Sequence, residues 1–542
     1  MQAAADPSAK SFQARRTQNW VFLGLMYAMF YMGRYNFAAV NALLSDKFGW
    51  TNTDLGNIIA AGKICYGASV FFNGPLADRI GGKKAILIGA AGAAVFNFLF
   101  GLGSLVLVGD AVWSADHKSV LTPATLAGGL QASTVIALFA VVWALNHYFQ
   151  SFGALSIVKI NAAWFTVKER GSFAGIFGIM IQSGRTLAFA VGPLIAGALP
   201  WRWVFWVPAA FLLVLFLLNR ALVENTPADA GQGELTTGDE VAGEDNTGGL
   251  GFVLRKVFAN PQMWIIALAS MMIGFVRNGT DDWFPKFFAN VHHAQQMARG
   301  PRMTLVNIGA LVTSVLVILG ILHLKRRIDG RKDWSPLKRF GVTFSLVGVF
   351  FALLAVALAF ALAGMEQIAR ATLCLTFAAV AMPIASVFGG IVSGNMSDAL
   401  FGSRRAPVIC GAFVGMAAVQ LVFTAFPGGP LFAAWMLVLL AFFIQSAHSM
   451  VGGAASMDFG GKKAVATAAG LFDGAQYVAG AIVAQTLGHV IDRFGWGGWG
   501  LTQVPFAIVG ALLMLKLWNA RPGAGHHGGS PPEAKPASAV SN

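Results

Sequence analysis

Gly74-Pro75-Leu76-Ala77-Asp78-Arg79-Ile80-Gly81-Gly82-Lys83-Lys84 closes one long apolar run, and Gly394-Asn395-Met396-Ser397-Asp398-Ala399-Leu400-Phe401-Gly402-Ser403-Arg404-Arg405 closes another far downstream. Both read glycine, three residues, aspartate, a later glycine and a basic pair. Glycine lets two helix ends approach closely. The aspartate can bond backbone N–H groups at a neighbouring helix N-terminus, where negative charge is favoured. A loop of this kind, occurring once per half, implies an internal duplication. Asp78, Arg79, Asp398 and Arg404 are read as gate latches.

Working outward, the chain has 542 residues, 56% hydrophobic and 11% charged. A soluble protein carries about 25% charged residues. Apolar runs recur from Trp20 to Trp518, each near the ~20 residues that cross hydrocarbon. They do not alternate apolar and polar as barrel strands do. The expected fold is therefore an all-α polytopic membrane protein. Spans are predicted near 19–44, 53–77, 84–108, 131–160, 171–198, 202–220, 261–289, 304–324, 340–364, 367–395, 405–426, 429–453, 463–490 and 500–518. The divisions are an N-terminal segment 1–18, a first half 19–220, a flexible acidic linker 221–260, a second half 261–519 and a disordered tail 520–542.

The net charge of +14 would suggest nucleic acid in a soluble protein. Here the basic residues sit in short loops, roughly 25 on the face of the N-terminus against roughly 8 on the other. That predicts both termini on the cytoplasmic side and no nucleic-acid partner. Lys10, Arg15 and Arg16 precede a first run that is retained as a span rather than cleaved. Cys65, Cys374 and Cys410 lie inside apolar runs without metal-like spacing. No Walker loop, nucleophile–base spacing or metal cluster is present in the sequence, so neither an enzyme nor a cofactor is expected.

Charge inside a span is costly and usually functional. Five basic residues lie there: Arg34, Lys63, Lys159, Arg185 and Arg277. Asp473 is the one comparably deep acid, and Asp281 and Asp282 stand nearer the end of their span. Arg34 and Arg277 are each about 15 residues into spans one and seven, near the bilayer midplane at about 1.5 Å per residue. Equivalent spans of two halves place them across a central cavity. A guanidinium grips phosphate oxygens through two N–H groups, and a pair without matched acids calls for an anion. Lys63 either contacts ligand or pairs with Asp473 across the halves. Lys159 lines the cavity or snorkels toward the basic face. Gln445, His448, Gln476 and Tyr477 can bond a sugar or glycerol moiety. Arg185 has no assigned partner.

The quoted loops resemble the signature loop of the major facilitator superfamily, whose standard is twelve spans. The surplus pair is placed at 304–364, as peripheral helices facing lipid. More closely, Arg34-Tyr35-Asn36-Phe37, Thr53-Asp54-Leu55-Gly56, Tyr66-Gly67 and Trp264 are similar to the organophosphate:phosphate antiporters. So are Arg277-Asn278-Gly279-Thr280-Asp281-Asp282-Trp283-Phe284-Pro285, Lys168-Glu169-Arg170-Gly171, Lys462-Lys463-Ala464, Thr467-Ala468-Ala469-Gly470 and Asp492-Arg493-Phe494-Gly495-Trp496. The resemblance implies a monomeric inner-membrane exchanger of glycerol phosphate or sugar phosphate against inorganic phosphate. It carries the substrate-binding arginines onto Arg34 and Arg277 and a fourth-span basic residue onto Lys159. Two departures stand out. The family's histidine falls at Ala163, and its second-span lysine falls at Val70, seven residues after Lys63. A phosphosugar sensor and a proton-coupled anion carrier remain alternatives, the latter with Asp473 or His448 as proton carrier.

Overall fold

A computed structural model describes residues 7–106, 132–166, 180–233, 235, 258–295, 336–402, 404–426, 428–451 and 456–519, and scattered positions from 309 to 335. Most of the predicted span 304–324, residues 236–257 of the linker, the 168–171 motif and the tail lie outside the described residues, as does the side chain of Asp78.

All regular elements among the described residues are helical. The first half holds α1 (Pro7–Ala39), α2 (Asn41–Phe48), α3 (Asn52–Ile80), α4 (Gly82–Val106), α5 (Ala132–Trp164), α6 (residues 180–198) and α7 (Trp203–Leu222). The second holds α8 (Pro261–Asp281), α9 (Phe284–His292), α10 (Pro336–Leu362), α11 (Gln367–Leu400), α12 (Arg405–Ala425), α13 (Pro430–Ser449), α14 (Ser456–Phe494) and α15 (Gly497–Lys516). Ten of these are long and apolar enough to cross a membrane by length and composition.

Spans one and seven differ from the single runs expected of them. The first breaks at Val40 between α1 and α2, and the seventh breaks at Asp282 between α8 and α9. At the second break Pro285 opens α9, where its missing N–H is harmless. The two breaks fall at equivalent places in the halves, a few residues beyond Arg34 and Arg277. In α6 a π-helical stretch, Leu187–Val191, follows Arg185. Pro193 lies just beyond it and removes a backbone donor, a local cause for the widened turn.

The halves meet chiefly where α3 lies along α14. Small residues make that contact possible, as they do between helices in lipid generally. A Cβ on Gly56 would lie 2.4 Å from the Ala484 carbonyl oxygen, and one on Gly488 would lie 2.6 Å from that of Asn52. At the same end, Asp492 accepts from the backbone N–H groups of Asn52 and Thr53 at 3.2 and 2.8 Å, and from their side chains at 2.7 Å each. Asp492 thus caps α3 from the other half. Burial raises its pKa, but these hydrogen bonds outweigh burial and hold it below the ordinary carboxylate value. Aromatic clusters close both halves at this end: Phe48 stacks on Trp50 at 4.6 Å, and Phe287 lies 5.0 Å from Trp499.

The N-terminus lies at the other end. Arg15 bonds the Leu222 carbonyl at 2.7 Å, and Lys83 pairs with Glu224 at 2.8 Å. Glu224 also takes its backbone N–H to Asn19 Oδ1 at 2.7 Å. The described start of the linker is therefore tied to the first half by capping and ion pairing, rather than free as its composition suggested.

Helix α10 packs against α11, and 17% of its most apolar window is buried against 78% for α11. This helix is largely uncovered, with Phe344, Leu353 and Phe360 turned outward, as suits a helix that faces hydrocarbon. This matches the peripheral place expected for the second inserted span.

Candidate functional site

Arg34 stands on the last full turns of α1, inside a polar ladder that crosses the first half. Asn36 donates to Asn97, Asn97 to Asn146 and Gln150 to Asn146, at 2.8–3.0 Å. Gln150 Oε1 then accepts from Arg34 Nε at 2.9 Å. Buried polar groups need partners, and this chain of amides supplies them while aiming the guanidinium. Nη1 donates to the Tyr477 hydroxyl at 2.6 Å, while Nη2 is buried without a partner.

Tyrosines surround the same group. The guanidinium lies 4.8 Å over Tyr31 and 4.5 Å over Tyr66, and Tyr66 stacks on Tyr477 at 4.0 Å across the halves. Tyr27 and Tyr35 pack on Tyr31 at 5.1 and 6.0 Å. Five of the six tyrosines in the chain thus gather here. Tyr31, Tyr66 and Tyr477 offer π faces to the Arg34 cation, and Tyr35 offers one to Arg185.

Arg277 projects from α8 in the second half, half-buried, with Nε unpartnered. It shares Tyr31, Tyr477 and Asp473 with Arg34 as electrostatic neighbours, so both cations bear on one space. His448 also faces Arg277, its Nδ1 without a partner. Gln476 donates to Ser270 Oγ at 2.9 Å beside them. Among the described residues neither arginine forms a salt bridge; Asp473 lies within the field of both and bonds neither.

The acids that quench charge belong elsewhere. Lys63 pairs with Asp282, in place of the Asp473 considered from sequence, and also donates to Asn278 Oδ1 at 2.8 Å. Asp282 keeps helical dihedrals and its N–H bonds the Asn278 carbonyl, so Asn278 and Asp282, one turn apart, present the same face to Lys63. Asn41 Nδ2 bonds the Asp282 carbonyl at 2.8 Å and pins the break between α8 and α9. Arg185, left unassigned by sequence, pairs with Asp281 and donates to Gln182 at 3.2 Å. Gln182 in turn reaches Gln445 at 3.5 Å. Two adjacent carboxylates of the second half therefore hold two buried cations of the first.

Lys159 donates to the Ala77 carbonyl at 3.2 Å near the end of α3. It lies nine residues after Gln150 on α5, about 13 Å farther along the axis from Arg34's anchor. Asp398 pairs with Arg405 at 2.9 Å, while Arg404 bonds the Phe401 carbonyl at 3.1 Å. Arg79 is exposed. Tyr31, His147 and Gln150 were not singled out from sequence, and Tyr66 and Asn278 entered only within the motifs that carry the resemblance, without a role. Two signals pointed to some of them: tyrosines four apart at 27, 31 and 35, and amides four apart at 146 and 150 in an apolar run.

Comparisons agree with this architecture. The chain is 25% identical over 545 residues to the glycerol-3-phosphate transporter of Bacillus subtilis, covering 96% of this chain and 97% of that one. It is 21% identical over 520 residues to a probable hexose phosphate transport protein of Chlamydia trachomatis, covering 92% and 90%. A bacterial homologue of the human lysosomal transporter Spinster, solved in an inward-facing and unoccupied conformation, superposes with a TM-score of 0.60. That match has 12% identity and covers 93% of this chain and 97% of that one; it bears on the fold alone. The model of the Major Facilitator Superfamily matches residues 23–383, well over half the chain. With two helical halves in contact, ten membrane-length helices and full-length transporter relatives, the chain belongs to the Major Facilitator Superfamily as a multi-pass membrane transport protein.

Proposed function

We propose that the protein exchanges a phosphorylated organic anion, a glycerol phosphate or sugar phosphate, for inorganic phosphate across a bacterial inner membrane. One observation carries this reading: Arg34 and Arg277 bear on a shared space, and neither is paired with a carboxylate among the described residues. Relatives named for glycerol phosphate and hexose phosphate transport support the same cargo class. Both termini lie on the cytoplasmic side in this reading, consistent with the basic loops.

Alternating access follows from the charges. A bound phosphate bridges the two guanidiniums and draws the halves together. An empty site resists that transition, because desolvating uncompensated charge is expensive. Obligatory exchange is then favoured over leak. Lys159, nearer the basic face, attracts the anion toward the site. Gln476, His448 and the tyrosine hydroxyls contact the organic part. Of the expected latch pair, Asp398 holds its loop through Arg405, and Arg404 holds it through the Phe401 carbonyl.

The test is counterflow in proteoliposomes with Arg277→Lys. The charge survives and the two-pronged grip does not, so phosphate exchange is expected to fall at least tenfold, about 1.4 kcal/mol. Normal rate and affinity in that variant contradict the assignment. Binding without turnover in the wild type marks a receptor instead.

A further inference from the structure

Beside Arg34, toward the end capped by Asp492, the halves enclose a pocket lined by Arg34, Lys63, His147, Asn278, Asp282 and Tyr477, among others. It has about 350 Å³ of empty space including its open mouth, and its enclosed part takes little more than one water-sized group. That is room for a single oxygen of a ligand seated at the arginines.

The chemistry of the wall is specific. His147 comes from α5, and its Nδ1 lies 3.1 Å from the Trp143 carbonyl, which can only accept. Nδ1 therefore holds the hydrogen, and in a neutral ring Nε2 keeps its lone pair. A second proton would set a third cation beside Arg34 and Lys63, which favours the neutral ring. Nε2 makes no hydrogen bond among the described residues. On the same pocket wall, Arg34 has the unpartnered Nη2, and Lys63 can only donate. Tyr477 accepts from Arg34, and its hydroxyl also meets that of Tyr66. The Asp282 carboxylate, across the pocket, disfavours a bare oxyanion. The titratable and charged groups that share the pocket with His147 are thus Arg34 and Tyr35 from α1, Lys63 from α3, Asp282 from the α8–α9 break and Tyr477 from α14. From α4 the ladder presents only Asn97.

A ligand atom that fits must accept from Arg34 and donate to His147. We propose that this pocket is a subsite for one proton-bearing oxygen of the cargo, a P–OH or C–OH group, with His147 Nε2 as the acceptor that selects it. The inference rests on the organophosphate reading above. It places a specificity residue at a position that neither the sequence reading nor the resemblance assigned.

Calorimetric titration of the purified full chain tests it, with methyl phosphate and methyl sulfate at about pH 5, below the second pKa of about 6 for a phosphate monoester. The two probes then carry equal charge and differ by the phosphoryl proton. The wild type is expected to prefer methyl phosphate at least tenfold. His147→Asn keeps an amide donor near Nδ1 and loses the Nε2 acceptor, and brings the preference close to unity. His147→Gln places an amide oxygen near Nε2 and retains it. A second arm compares glycerol 3-phosphate with methyl phosphate at about pH 8, where both are dianions. A preference for the glycerol ester that His147→Asn abolishes identifies a carbon-borne hydroxyl as the occupant. If neither preference exists in the wild type, or both survive in a folded His147→Asn, the subsite is refuted while the exchanger reading stands. A wild type that binds no phosphate ester refutes both.

Discussion

Replacing Lys63 with methionine tests the buried pair that joins the halves. The Lys63 and Asp282 side chains are 8% and 6% exposed, and Asn278 supplies the remaining bond. Methionine keeps the bulk of the lysine stem, so the Gly480 surface that Lys63 packs against stays filled. Asp282 is then left charged, buried and unmatched. Breaking one side of such a pair costs about 3–5 kcal/mol. At about 1.4 kcal/mol per tenfold, that disfavours the arrangement with the Asp492 end closed by roughly two to three and a half orders of magnitude. An arrangement opened there, with water on Asp282, escapes the penalty. Removing both charges in Lys63→Met/Asp282→Asn should restore most of the closed population. The assay is a spin-label distance distribution between the end of α2 and the start of α15, recorded in nanodiscs for the wild type, both single variants and the double. A Lys63→Met distribution like that of the wild type refutes the reasoning. So does a double variant that lies no closer to the wild type than the single.

Other outcomes follow from the same interface. Asp492 has a lowered pKa, so its contribution is present above the unfolded value near 3.8 and is lost as pH falls through the lower folded value. Spin-label distances at that end should hold steady from neutral pH down to about 4 and widen below it, and Asp492→Asn should remove the transition. Gly56→Val puts a side chain where a Cβ already lies 2.4 Å from the Ala484 oxygen, so α3 and α14 must separate. Cysteine-accessibility labelling should report that end open, with exchange slowed at least tenfold; unchanged labelling contradicts the close approach. The Arg277→Lys and His147→Asn experiments above complete the set.

Much of the architecture is written locally. Run length, glycine in the two loops and the sign of loop charge are properties of short stretches, and hydrocarbon requires every spanning backbone to satisfy itself. The helical halves and the uncovered face of α10 could be read from those alone. Arg34 and Arg277 were legible because a cation deep in an apolar run is rare and a repeat supplies its counterpart.

Partner choice is a different kind of fact. Whether Lys63 meets Asp473 or Asp282 depends on which face of α8 is set beside α3, and on how closely Gly56 and Gly488 let α3 approach α14. Arg185 finds Asp281 only because α6 and α8 face each other across the halves. The tyrosine cage draws residues 31, 66 and 477 from three helices, and His147 gains meaning only when Lys63 and Arg34 are set beside it. Side-chain direction at a distorted turn, and separation between helices far apart in the chain, are fixed by packing. No window of sequence contains both members of such a contact.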